Sequence, residues 1–331
     1  MKTLRFGVLG AARIAPKALT DPARGIDRVE VTRIAARDRT RAVAFASEHG
    51  VPEVSDTYAD LINADDVDVV YNPLPMNLHA EWTIAALRAG KHVLCEKPLA
   101  SNADEAEEMV RVADELGLIL GEAFHHHYHP MMQRILNAID EGVIGSVVRA
   151  EGTFAITVRQ PDIRWDYATS GGSLMDLGCY PLMWARHVIG EEPAGFEAEA
   201  IEGPEQIDAS IWAELSFPGG ATGRVESSMA LHPDEPRDIR LEITGDRGSI
   251  TAINPLAPQN GNRLTIRTED RETSEEVRGD TTYAYMLRAF VDHVIDGAPF
   301  PTQGRDSVNN MVAIDAIYQA AGLAKRGLPL S

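Results

Sequence analysis

Along the first third of the chain, apolar and polar positions switch repeatedly between two periods. Short apolar runs at Leu4–Leu9, Val29–Ala36, Val67–Tyr71, His92–Cys95 and Leu118–Ala123 predict buried strands. Between them, Ala11–Leu19, Thr40–His49, Tyr58–Ile62, Leu78–Ala89 and Asn102–Leu116 carry helical spacing or propensity. Gly90 and Gly117 stand just past two of these helices, where a left-handed residue ends a helix readily. Pro16 comes early enough in its segment to be tolerated in a first turn. Strands alternating with helices of this length predict right-handed βαβ crossovers and a parallel sheet.

The rhythm changes near Phe124. A helix at Pro130–Glu141 precedes a long strand near Val147–Val158, a glycine turn at Gly171-Gly172 and a helix running to Val188. Beyond Gly195 the text is strand-like: Ile207–Phe217, Thr222–Met229, Arg237–Thr244, Ser249–Ile253 and Leu264–Arg267. Turn signals such as Pro218-Gly219-Gly220 and Gly245-Asp246-Arg247-Gly248 separate them, which predicts an antiparallel sheet. Helices at Thr282–Asp296 and Arg305–Arg326 follow, and Asn254–Asn262, rich in Pro and Asn, is expected to be a mobile loop.

Bulk properties narrow the function classes. With 331 residues, two domains are the default, and 44% hydrophobic with 24% charged residues is ordinary globular composition. The formal net charge of −19, with no Lys/Arg run, disfavours nucleic acid and anionic membranes as partners. Lysine occurs only at 2, 17, 91, 97 and 325, so the positive charge is nearly all arginine. Genomic base composition and a salt-adapted host are both open as its cause. Cys95 and Cys179 form no CxxC pair and are expected to be reduced and buried. The chain runs from MKTLRFGVLG straight into a strand and contains no apolar run of transmembrane length, so a cytoplasmic location is expected.

Four places carry candidate chemistry. The turn Gly10-Ala11-Ala12-Arg13-Ile14 joins the first strand to a helix, and its small residues let backbone N–H groups approach a pyrophosphate. Ala12 and Ala15 stand where the usual fingerprint has glycines, so the turn alone is a weak signal. At the end of the second strand, the position expected to hold a ribose-binding acid is Arg37, with Arg41 one helical turn on. Arginine there favours a 2′-phosphate and hence NADP(H), while Asp38 would serve NAD(H) if the register moved by one. Lys97, in Cys95-Glu96-Lys97-Pro98, lies at the C-terminal end of a parallel strand, where it can position a hydroxyl and tune a neighbouring acid or base. Asp176 and Tyr180 are four apart on a helix, which suits proton transfer at an alcohol or carbonyl or, equally, a bonded structural pair. His125, His126, His127 and His129 have neither metal-ligand spacing nor a carboxylate or Cys shell. No metal is expected, and the loop reads instead as giving one His to a polar pocket.

Together, Gly10 to Ala15, Glu96-Lys97-Pro98 with its upstream Gly-Lys-His-Val-Leu-Cys, and Gly171-Gly172-x-x-x-Asp176-x-Gly178-x-Tyr180 resemble the glucose-fructose oxidoreductase/inositol dehydrogenase (Gfo/Idh/MocA) family. The likeness runs over nearly the whole chain. Glu122-Ala123-Phe124, His129-Pro130 and Tyr180 are most similar to the branch of dimeric dihydrodiol dehydrogenases and NADP-dependent D-xylose dehydrogenases, although that branch often has Tyr-Arg where this chain has His126-His127. The resemblance implies an α/β Rossmann domain over residues 1–123. It also implies an α+β domain with a large, mostly antiparallel open sheet over residues 124–331, for substrate binding and oligomerisation. It implies cofactor contacts from the Gly10–Ile14 turn, Arg37, Arg41, Leu74, Pro75, Asn77, His79, Glu96 and Lys97, and a sugar pocket lined by Arg164 and Trp165. Lys97 and Tyr180 would then work at the substrate hydroxyl, with Tyr180 the proton donor, and Asp176 would orient the substrate, pairing with Lys97 or a substrate hydroxyl, in a homodimer or homotetramer built through the sheet. The expected activity is an NADP-preferring oxidoreductase acting on a sugar or polyol. An NAD-dependent inositol-type dehydrogenase and a non-catalytic cofactor-sensing regulator are the alternatives.

Overall fold

The computed structural model describes residues 2–329, which form two compact units: 2–125 with 283–308, and 126–282 with 309–329. The division expected at 123/124 is therefore not a single cut, because the chain returns to the first unit.

In that first unit, β1 (Leu4–Leu9) is followed by a helical run whose π-helical part, Pro16–Thr20, leads into α1 (Asp21–Ala23). The helix expected over Ala11–Leu19 thus begins late, because residues 11–14 are the turn itself and Pro16, which has no N–H, starts the run. Next come β2 (Val29–Ala35), α2 (Arg39–His49), β3 (Glu53–Ser55), α3 (Tyr58–Ile62) and β4 (Val69–Asn72). They are followed by α4 (His79–Arg88), β5 (His92–Cys95), α5 (Ala103–Leu116) and β6 (Leu120–Glu122). All six strands are parallel, in the order β3-β2-β1-β4-β5-β6. That order reverses direction between β1 and β4, and ligands bind in such sheets at the carboxyl ends of the strands flanking the reversal.

The second unit holds α6 (Pro130–Asp140), β7 (Val147–Ala155) and a π-helical turn, Leu174–Gly178, that runs into α7 (Cys179–Ile189). Seven more strands follow: β8 (Gly195–Glu202), β9 (Asp208–Ser216), β10 (Thr222–Ser228), β11 (Asp238–Gly245), β12 (Gly248–Ile253), β13 (Arg263–Thr268) and β14 (Glu272–Glu275). The eight strands are ordered β14-β13-β12-β11-β7-β10-β9-β8 and are antiparallel except where β10 meets β7. On β9, Ala209, Ile211, Ala213 and Leu215 are buried while Trp212 and Glu214 are half-exposed, so one face is core and the other open. Nearly all of α7 is buried, and it packs so tightly that a Cβ at Gly152 on β7 would meet Pro181 at 2.5 Å. The loop expected to be mobile is braced instead: the Asn254 amide donates to Ala257 O and Gly261 O, and the Asn262 amide to Pro258 O and Val277 O.

Two final helices, α8 (Thr282–Asp296) and α9 (Arg305–Ala320), divide between the units. Phe290 of α8 packs edge-on against Phe6 of β1 and Phe300, and a Cβ at Gly121 would strike both Phe290 and Phe300. Helix α9 ends at Ala320 rather than at Arg326, because Gly322, with φ +72°, turns the chain back.

Candidate active site

At the end of β1, Gly10 has φ +81°, and an added Cβ would come within 3.0 Å of Leu74 and 3.8 Å of the Tyr58 hydroxyl. Only glycine takes that backbone without strain. Among the described residues, the amide N–H groups of Ala11, Ala12 and Ile14 have no acceptor. Consecutive N–H groups of this kind at the start of a helical run suit an anion. Arg37 is exposed beyond the end of β2, and Arg41 reaches back to donate to Ala11 O at 2.9 Å. Asp38, the alternative ribose acid, is already engaged. Its carboxylate accepts from the N–H groups of Thr40 and Arg41 as the cap of α2. Tyr58, overlooked in the sequence, joins this cluster: burial pushes its phenol up, against a backbone hydrogen bond to Arg37 and the charges of Arg37 and Arg41. Its ring packs edge-on to Trp82.

The loops after β4 and β5 are tied together by His79. Its Nδ1 lies 3.0 Å from Pro98 O and its Nε2 2.8 Å from Leu74 O, and the ring is fully buried. Burial holds its pKa down to about 4, with hydrogen bonds to Leu74, Pro98 and Leu99 opposing and Lys97 assisting. Both ring nitrogens face backbone carbonyls, so His79, expected among the cofactor contacts, braces the two loops that carry the others. Asn72, also overlooked, does similar work. Its amide donates to Thr83 Oγ1 and His79 O, and its carbonyl accepts from Leu74 N–H. Leu74 is buried, Pro75 half-buried and Asn77 exposed. Glu96 is buried and accepts from the Tyr71 hydroxyl at 2.7 Å. Lys97 is half-buried beside two neutral imidazoles, His79 and His125. His125 packs at a tilt against Tyr283 with ring centroids 4.0 Å apart, and burial, then the Lys97 charge, takes its pKa down to about 3.

In the second unit, Asp176 lies on the π-helical turn and Tyr180 on the first turn of α7. Arg164 Nε donates to Asp176 Oδ2 at 2.5 Å, and Arg164 Nη1 donates to Asp162 Oδ1 at 3.0 Å. Arg164, expected to line the sugar pocket, thus also holds the carboxylate of Asp176, twelve residues further on. Trp165 is half-buried, and its indole N–H donates to Val158 O. Tyr180 is buried, with its ring edge-on to His126 and tilted against Phe154. The remaining histidines diverge. His127 meets His187, with their Nδ1 atoms 3.3 Å apart, and His129 caps α6 through Met131 N–H. Among the described residues, no group of three or more His, Cys, Asp or Glu could hold a metal ion. Both cysteines are buried thiols, and neither is in a disulfide among the described residues.

Residues 4–124 match the model of the oxidoreductase family with an NAD-binding Rossmann fold, and residues 132–251 match that of the GFO/IDH/MocA C-terminal domain. The chain is similar to D-xylose 1-dehydrogenase (NADP(+)) 2 of Haloferax volcanii, with 34% identity over 96% of this chain and 97% of that one. It also resembles trans-1,2-dihydrobenzene-1,2-diol dehydrogenase of Bos taurus, with 31% identity over 81% of this chain and 79% of the other. Among solved structures, a 3-ketoreductase from Actinomadura kijaniata in complex with NADP and TDP-benzene has a TM-score of 0.85 at 31% identity. It covers 96% of this chain and 98% of its own. Variants of that ketoreductase with tyrosine replaced by phenylalanine and lysine replaced by alanine have also been solved.

Proposed function

The chain belongs to the GFO/IDH/MocA oxidoreductase family, and from that premise we propose an NADP(H)-preferring dehydrogenase or reductase acting on a secondary alcohol or carbonyl of a sugar or related polyol. The observation that carries the cofactor reading lies at the end of β2. Arg37 is exposed there, and the adjacent acid, Asp38, is committed to capping α2. A 2′-phosphate meets charge-assisted donors at such a place. The relatives named for NADP(+) or solved with NADP support the same choice. In this reading residues 1–123 bind the dinucleotide. The N–H groups of Ala11, Ala12 and Ile14 hold its pyrophosphate, and Arg13, Arg41, Leu74, Pro75, Asn77, Glu96 and Lys97 flank it, with His79 bracing the loops.

Bound nicotinamide supplies or accepts the hydride. Tyr180 exchanges the proton, donating its O–H to the substrate oxygen in reduction and accepting the proton back in oxidation. A free phenol has a pKa of ~10, too high for a base near neutrality, and a cation favours the phenolate. Lys97 supplies that cation. Asp176, held by Arg164, accepts a hydrogen bond from a neighbouring substrate hydroxyl, and Trp165 contributes a ring face. Residues 124–331 carry the substrate groups and form a homodimer or homotetramer through the open sheet face, in the cytoplasm. No described helix is long and apolar enough to cross a membrane.

The test is a panel of sugars, ketoses and dicarbonyls assayed with NADP(H) and NAD(H) by nicotinamide absorbance. Turnover with a higher kcat/KM for NADP(H) is expected. Equal or better use of NAD(H) overturns the cofactor choice. Tight NADP(H) binding without turnover of any sugar favours a cofactor-sensing regulator instead.

A further inference from the structure

The C-terminal tail folds back into the second unit and inserts Arg326, whose side chain is fully buried together with that of Asp208. Its guanidinium is planar, with donors fixed in a fork. Nη2 donates to Asp208 Oδ1 at 2.9 Å, Nε to Gly171 O at 2.8 Å and Nη1 to Ala324 O at 2.7 Å. The cation also lies over the rings of Tyr318, at 3.9 Å, and Tyr167, at 5.2 Å. Asp208 gathers the other side of the turn: it accepts from Tyr318 Oη at 2.9 Å, Ser173 Oγ at 2.9 Å and Leu174 N–H at 2.6 Å. Tyr167 Oη donates to Lys325 O at 2.7 Å, a second tie between loop and tail. There is no room for more, since a Cβ at Gly172 would lie 2.2 Å from Asp208 and 2.6 Å from the Tyr318 hydroxyl.

These bonds end on one short stretch of chain. Gly171 and Leu174 flank the glycine turn, and the turn is bonded in its own backbone to the Arg164 loop through Gly172 N–H to Arg164 O at 2.9 Å. Arg164 in turn holds Asp176. The geometry points to Arg326 and Asp208 as positioning residues: the tail is a latch that sets the loop 162–172 and the Asp176 turn in the geometry the substrate meets. The inference rests on the reading of Asp176 and Arg164 as substrate-side groups. It adds that their placement is decided by the last turn of the chain rather than by their own helix.

The test uses the full chain with Arg326→Gln, Arg326→Lys and Tyr167→Phe. Arg326→Lys keeps a charge for Asp208 but loses the three-way fork. Tyr167→Phe removes one tie without leaving a buried charge unpaired, so it serves if Arg326→Gln fails to fold. Hydrogen exchange should quicken by at least about tenfold at amides 165–172 and 174–178, and stay unchanged in β11–β13. In kinetics, KM for the sugar should rise while KM for NADP(H) holds, for a loss in kcat/KM of roughly tenfold to a hundredfold. Arg326→Lys should fall close to Arg326→Gln. Unchanged exchange at 165–172, or acceleration spread evenly through the unit, overturns the latch. So does a fall in kcat alone that matches the loss of folded enzyme. A wild-type chain that turns over no sugar would sink the functional reading, and the exchange measurement would still decide the latch.

Discussion

Around Gly10, cationic groups stand at the surface and, among the described residues, the N–H groups of Ala11, Ala12 and Ile14 have no acceptor. Between Asp162 and Tyr180, Arg164 is already paired with Asp162 and Asp176, and behind them Asp208 is paired with Arg326. The first region is built to gain its partner from outside. Substitution there should alter binding and leave the fold nearly untouched. The second is built to hold its geometry before any substrate arrives, because preorganised groups need no rearrangement as the reaction proceeds. Substitution there should change rate, and it should reach stability wherever a buried charge loses its mate.

The sharpest test of this contrast is Tyr180→Phe. On the preorganised side, one oxygen atom should lower kcat by about 10²–10⁴-fold, leave NADP(H) binding nearly unchanged and remove a limb of the pH–rate profile. Wild-type kcat and pH dependence in that variant would make Tyr180 a packing residue against His126 and Phe154. The counterpart on the open side is Arg37→Asp combined with Arg41→Ala. Two charge-assisted hydrogen bonds at roughly 1.5–3 kcal/mol each give a fall in NADP(H) preference of about a hundredfold or more. The melting temperature should not move with it. A large drop in melting temperature would show that these arginines support the fold, and the contrast would fail.

A smaller effect concerns the braces behind the cofactor edge. His79 and His125 are held neutral in the folded state, with pKa values lowered to about 4 and about 3 by burial. The unfolded chain takes up protons below about pH 6.5, so the folded state binds fewer. Stability present above ~6.5 is therefore lost as pH falls, down to about 4 for His79 and about 3 for His125. The loss is roughly 1.4 kcal/mol per pH unit for each histidine. Urea midpoints recorded from pH ~7 to ~5 should fall accordingly, and His125→Phe should flatten the slope. A flat profile in the parent chain would mean that the buried rings are charged. The smallest effect is that of Asp38→Ala. As a helix cap, Asp38 should cost about 1 kcal/mol in stability and leave the NADP/NAD ratio unaltered. A changed ratio would return it to the cofactor.

The strand and helix pattern was legible wherever an element buries one face. β1, β5, α3 and α5 lie within a residue of their expected bounds, and Asn102 and Gly117 cap α5 as those residue types should. Three strands were not legible. β3 has three residues, and β8 and β14 are edge strands exposed or half-exposed at every position, so they show no alternation to read. Asp38 reads as a possible ribose acid because the residue type does not reveal its partner, and it is the cap of α2. The pairing of Arg164 with Asp176 was not legible for the same reason.

What the sequence determined by itself are features that act over a few residues: the two periods, the glycine turns, and the Glu96-Lys97-Pro98 stop after a strand. Each follows from local sterics and local hydrogen bonding, so reading along the chain is enough. Only the tertiary structure decided which charges are neutralised and by what. Arg326 meets Asp208 across 118 positions of sequence, both side chains fully buried. Such pairings arise because a buried charge must find its counter-charge wherever packing brings one, and spacing along the chain carries no record of where that will be.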